Sequence, residues 1–152
     1  MLASLIVLAL AAAPTAADRV QIFHAAGFHL KAGRWMTADE CDPVGSLSYS
    51  PGQIQPASDL NRDGRPEVIV TEGGTACYGM TGQGYTLLTK SPNGRWIKLS
   101  QGIGIPNFLK TRSNGWPVLE IGGPGFCFPI HRFNGKTYVF HRQQYEGKPC
   151  RR

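Results

Sequence analysis

The strongest constraint on this chain is that part of it occurs twice. The segment DGRPEVIV, starting at Asp63, aligns with NGWPVLEI, starting at Asn114: Gly64 falls on Gly115, Pro66 on Pro117, Val68 on Leu119 and Val70 on Ile121. Soon after each copy comes a Gly-Gly pair and then a cysteine with an aromatic neighbour, Cys77-Tyr78 and Cys127-Phe128. Glycine and proline ahead of alternating apolar residues describe a turn that feeds a strand. The period of 50 to 51 residues is the size of a propeller blade or a long hairpin unit. Two units cannot close a propeller, which typically takes at least about four blades. The expected fold is mainly β: small twisted antiparallel sheets, or a pair of packed sheets, built from two blade-like pseudo-repeats at about 59–109 and 110–150.

Local signals point the same way. With 19 Gly and 11 Pro in 152 residues, turns must be frequent. RVQIFHAAGF (19–28) reads as one short N-terminal helix with Val20, Phe23 and Ala26 on one side. FHLKAGRWM reads as a hairpin turning near Ala32-Gly33, and residues 41–58 as a Pro/Gly/Ser-rich loop. YTLLTK and RWIKLS flank Asn93-Gly94, and FCFPIHR and KTYVFHR flank Asn134-Gly135. Asn-Gly suits tight turns because both residues tolerate positive φ. A two-residue turn at Asn134-Gly135 pairs Phe133 with Lys136 and His131 with Tyr138, and sets His141 opposite Phe128.

Residues 2–13 carry no charge and read as the apolar core of a secretory signal peptide (1–17), cleaved after Ala17. The run is too short for a membrane span, which needs roughly 20 residues. The alternative is an uncleaved anchor or a buried first helix. Residues 18–152 then form a single domain with a periplasmic or extracellular address. Its four cysteines, Cys41, Cys77, Cys127 and Cys150, imply two disulfides with three possible connectivities. Charge divides unevenly: residues 18–89 carry five basic and eight acidic side chains, residues 90–152 eleven basic and two acidic. A basic half of this kind attracts anionic polymers, although a solvated surface has the same composition.

Asp59-Leu60-Asn61-Arg62-Asp63-Gly64-Arg65-Pro66-Glu67 has the form D-x-N-x-D-G-x-x-E. Calcium takes six to eight oxygens at about 2.3–2.6 Å, which side chains at alternate loop positions can supply. Asp59, Asn61 and Asp63 occupy those positions, the Arg65 carbonyl comes next, and Glu67 closes the set. An EF-hand requires Glu at the twelfth place; here that place is Val70, and a β-branched run follows instead of a helix. The segment resembles the calcium loop of the FG-GAP or VCBS repeats of β-propellers, in which an acidic ninth residue completes the site and a strand follows. That resemblance implies side-chain ligand roles for Asp59, Asn61, Asp63 and Glu67, and a carbonyl role for Arg65. The second unit offers Lys110, Arg112, Asn114 and Val118 at the matching places, a set that cannot hold a divalent cation. The alternative is a polar turn in which Asp and Asn cap their own backbone. More loosely, AAGF…GRW, TEGG…CYG and GGPGFCFP resemble small exported bacterial proteins of uncharacterised function.

Catalytic signals are sparse. His24 and His29 miss the helical i, i+4 spacing. Cys127 and His131 stand four strand residues apart, roughly 13 Å, where nucleophile and base need about 3 Å. Glu72 and Glu120 each precede a Gly-Gly closely and would suit glycoside hydrolysis if they shared a pocket. The reading favoured by the sequence is an exported, non-enzymatic β domain, stabilised by two disulfides and one calcium ion, with a binding role at an envelope glycan or protein. The alternatives are a small glycan-acting hydrolase using Glu72 and Glu120, and a basic module binding anionic polymer through residues 90–152.

Overall fold

The computed structural model describes residues 14–44 and 46–151. The apolar core of the expected signal peptide lies outside them. The described chain is mainly β. Helix α1 (Ala16–Ala26) is followed by a hairpin of β1 (His29–Lys31) and β2 (Arg34–Met36). Then come β3 (Ser50–Ala57), β4 (Glu67–Gly73), the short helix α2 (Thr75–Tyr78), β5 (Gln83–Lys90) and β6 (Trp96–Ile103). The chain continues through β7 (Ile105–Ser113), β8 (Trp116–Gly122), β9 (Phe128–Phe133), β10 (Tyr138–Tyr145) and β11 (Lys148–Pro149).

Two antiparallel meanders form the body: β3-β4-β5-β6, and β7-β8-β9-β10 with β11 added at its edge. The repeated segments run into the second strand of each, β4 and β8. The sheets divide at Gly104, between β6 and β7, so each unit gains a strand ahead of its repeated turn. The 109/110 boundary read from the sequence therefore falls inside β7. Strand β3 falls in the stretch expected as loop, since SPGQIQPA carries two prolines. It is an edge strand, bonded only to β4, where prolines are tolerated.

Strand alternation sorts the apolar residues into two layers. Val68 and Val70 of β4, with Leu88 and Trp96, meet Ile22, Phe23 and Ala26 of α1. On the other face of this first sheet, Tyr85, Leu87 and Leu99 meet Trp116, Leu119, Ile121, Phe133 and Tyr138 of the second sheet. The layers thus run α1, first sheet, second sheet. The aligned pairs Val68/Leu119 and Val70/Ile121 show that corresponding faces do not pack on each other. The face that α1 covers on the first sheet is, on the second, buried against the first sheet.

Helix α1 starts in a reciprocal cap: Asp18 N donates to Thr15 Oγ1 at 3.1 Å, and that hydroxyl donates to Asp18 Oδ2 at 3.0 Å. It ends at Gly27, φ 90°, whose N–H reaches the His24 carbonyl at 3.0 Å. The buried arc is centred between Ile22 and Ala26, which puts Val20 about 140° from its middle. Val20 is accordingly 46% exposed, against expectation. The expected cleavage point after Ala17 lies in the first turn, and the cleaved chain keeps Asp18. The β1–β2 hairpin turns on Ala32 and Gly33, both at positive φ, and Trp35 stacks on Phe23 with ring centroids 4.6 Å apart.

The last hairpin departs from its expected register. Asn134 Oδ1 accepts from Lys136 N and Thr137 N, both at 2.9 Å, and closes a longer loop than two residues. Phe133 therefore pairs with Tyr138, His131 with Phe140 and Phe128 with Gln144, with a bulge between Phe140 and Arg142. The disulfides join Cys41 to Cys77 and Cys127 to Cys150. Two such bridges fit an oxidising compartment. No helix among the described residues is long and apolar enough to cross a membrane.

Candidate metal centre and the buried carboxylates

The acidic loop links β3 to β4 and turns through left-handed backbone at Arg62, φ 63°, and Gly64, φ 80°. Its side chains bind the loop's own backbone. Asp59 accepts from Asp63 N at 3.1 Å and Gly64 N at 2.8 Å. Asn61 Oδ1 accepts from Asp63 N at 3.2 Å, and Asp63 Oδ1 from Arg65 N at 2.8 Å. Asp63 Oδ2 accepts from Asn61 Nδ2 at 2.7 Å and is ion-paired with Arg65 Nη2 at 2.5 Å. These are the Asx-type turns that Asp and Asn favour.

Glu67 closes the loop from inside. It is fully buried, and accepts from Leu60 N at 2.6 Å and Thr89 Oγ1 at 2.8 Å. Burial pushes its carboxyl above the ordinary range; the bonds from Leu60 and Thr89 oppose this, and the charges of Asp63 and Asp59 add to it. The donor set, all oxygen and mostly carboxylate, suits a hard cation. Each Asp59 oxygen takes one bond where it can take two, so acceptor capacity remains. The described residues nonetheless contain no group of three or more His, Cys, Asp or Glu gathered closely enough to hold a metal. The Arg65 guanidinium offsets the charge of Asp63.

The degenerate copy behaves differently. Arg112, which aligns with Asn61, donates through Nη2 to the carbonyls of Leu60 and Gly115, both at 2.5 Å. It therefore ties the second turn to the acidic loop of the first. Asn114 bonds the Phe133 carbonyl at 2.8 Å. Val118 is buried on the outer face of the second sheet.

The two glutamates of the hydrolase reading are used in separate places. Glu72 is 2% exposed and takes four hydrogen bonds. Its Oε1 accepts from Thr37 N at 3.1 Å and Tyr49 OH at 2.8 Å; its Oε2 accepts from Thr37 Oγ1 at 2.5 Å and from Tyr78 OH. All four of its lone-pair sites are filled, so no acceptor is left for a substrate. Burial and the Glu72 bond push the Tyr78 hydroxyl up to about 12 and raise Tyr49 as well. With the Cys41–Cys77 bridge, this hub ties Thr37, Cys41 and Tyr49 to β4 and α2. The sequence carries a signal for it, since Val68, Val70 and Glu72 alternate onto one buried face.

Glu120, by contrast, lines a groove on the outer face of the second sheet and, among the described residues, hydrogen-bonds only Asn107 Nδ2, at 3.4 Å. No described cavity contains both glutamates. Cys127 is spent in a disulfide. His131 packs edge-on against Phe140 at 6.1 Å, while His141 is exposed at the bulge. The chain gives no significant match to protein-family models, curated proteins or solved structures.

Proposed function

We propose that this is an exported, non-enzymatic β domain, periplasmic or extracellular, that binds an envelope glycan or protein and is stabilised by one calcium ion. Its 59–67 segment is read as an FG-GAP/VCBS-like loop. The observation that carries the calcium reading is the setting of Glu67. This carboxyl is fully buried beside Asp59 and Asp63, and Arg65 is the one side-chain cation paired with the loop's carboxylates among the described residues. Asp59, Asn61, Asp63 and Glu67 would hold the ion with the Arg65 carbonyl. The ion would supply the divalent charge that four acidic and amide side chains at one turn otherwise lack. The loop's residues fix the entry to β4, and Glu67 ties that entry to β5 through Thr89. The non-enzymatic reading is supported by Glu72, whose oxygens are taken up in holding a loop.

Thermal melting of the oxidised chain in EDTA and in calcium is the test. At about 100 times its Kd, calcium stabilises by ~2.7 kcal/mol, a rise of several degrees in Tm. Asp59→Ala and Asp63→Ala are each expected to abolish the rise. An unchanged melting curve, with no calcium uptake in a titration, would sink the reading.

A further inference from the structure

The outer face of the second sheet has no helix over it among the described residues, unlike the first. It carries a groove of about 670 Å³ running across β7 to β10. Lys110, Arg132 and Arg142 line it, and none of the three has an ion-pair partner among the described residues. Arg142 donates through Nη2 to Gln144 Oε1 at 2.7 Å, while its Nε is shielded from water with no acceptor. Glu120 and the exposed Glu146 also line the groove, Glu120 with one long bond to Asn107. Tyr145, 45% exposed, forms an aromatic wall with Phe128, their ring centroids 6.4 Å apart.

We propose that this groove binds an acidic oligosaccharide, a sugar chain bearing carboxylates. Guanidinium groups offer a planar fork of donors that carboxylates match in pairs, and here they are short of acceptors. Sugar hydroxyls are donors as well as acceptors, so they make use of Glu120, which a purely anionic ligand meets only as repulsion. The C–H face of a pyranose ring is apolar and packs on an exposed ring such as Tyr145. Single-stranded DNA fits less well: it supplies phosphates to the arginines but few hydroxyls to Glu120. The assignment rests on the binding role proposed above and is independent of calcium.

The test is calorimetric titration of the oxidised chain, in calcium-free buffer, with a hexamer of galacturonic acid, its methyl ester, and a DNA single strand of equal charge. The expected result is binding of the acid form only. Arg132→Ala, Arg142→Ala and Glu120→Ala should each weaken it at least tenfold, while Lys31→Ala and Lys98→Ala leave it unchanged. Arg132 and Lys110 are exposed, so Lys110→Ala/Arg132→Ala, with an unshifted Tm, serves if Arg142→Ala fails to fold. Glu120→Ala separates the mechanisms, because a general field of positive charge would bind more tightly once that carboxylate is gone. Tighter binding by Glu120→Ala, equal binding of DNA, or no binding of the acid hexamer overturns the proposal. Calcium-dependent melting, measured on the same samples, shows whether the calcium reading stands apart from that failure.

Discussion

The two meanders share a strand order but differ in how they are finished. In the first, an acidic turn leads into β4 and α1 seals the outer face with Ile22, Phe23 and Ala26. In the second, a turn carrying Arg112 leads into β8, and the outer face stays open, its long polar side chains lining the groove. Stacking them head to tail explains why the copies diverged. A face buried between the sheets needs apolar residues, but each end of a two-layer stack must be capped separately. The first sheet takes a helix, the second solvates itself. Terminal units of repeat architectures face the same demand.

Four substitutions probe this contrast, beginning with the largest expected effect. Phe23→Ala removes the centre of the helical cover and is expected to cost about 3–5 kcal/mol, read by denaturant melting. Arg132→Ala, on the exposed outer face of the second sheet, should stay within about 0.5 kcal/mol. Similar losses at both positions would mean that the two faces are sealed alike. Next, Arg112→Ala cuts the tie between the turns; because the side chain is exposed, the expected loss is about 0.5–1.5 kcal/mol. Asp59→Ala should add little to that loss in EDTA but should remove the calcium response.

The smallest effect is a pH dependence at the helix end of the stack. Asp18 bonds Lys90 Nζ at 2.9 Å, with Trp96 as a further donor, and the Lys90 bond holds its carboxyl below the ordinary range. A depressed folded value means that the contribution is present above the unfolded value of about 4 and lost as pH falls through the folded one. Asp18→Asn should flatten the stability curve below about pH 4, as read by melting at successive pH values. A curve of unchanged slope in the variant would show that other carboxylates carry the acid limb.

Much of the fold was legible because its signals are local. Asn114-Gly115 sits at φ 48° and 81° and joins β7 to β8, as Ala32-Gly33 joins β1 to β2. Alternation marked β4 and β8 as strands. Prolines hid β3, because proline statistics penalise strands without knowing which are edges. The last hairpin slipped by two residues because the Asn134 side chain, not the dipeptide alone, sets loop length. At the candidate centre the residue types were readable, but their mutual bonds were not: Arg65 pairing with Asp63 is a matter of how the loop turns.

The sequence by itself determined the mainly β class, the turns and the presence of cysteine pairs, since period-two burial and positive φ are properties of a few adjacent residues. Only the tertiary structure decided which cysteines meet, that Glu72 gathers Thr37, Tyr49 and Tyr78, and that Arg112 reaches the first turn. It also decided which sheet face remains open. Apart from the nearby Tyr78, those contacts join residues 23 to 52 positions apart, and no local pattern encodes a distance that exists only once the chain has folded.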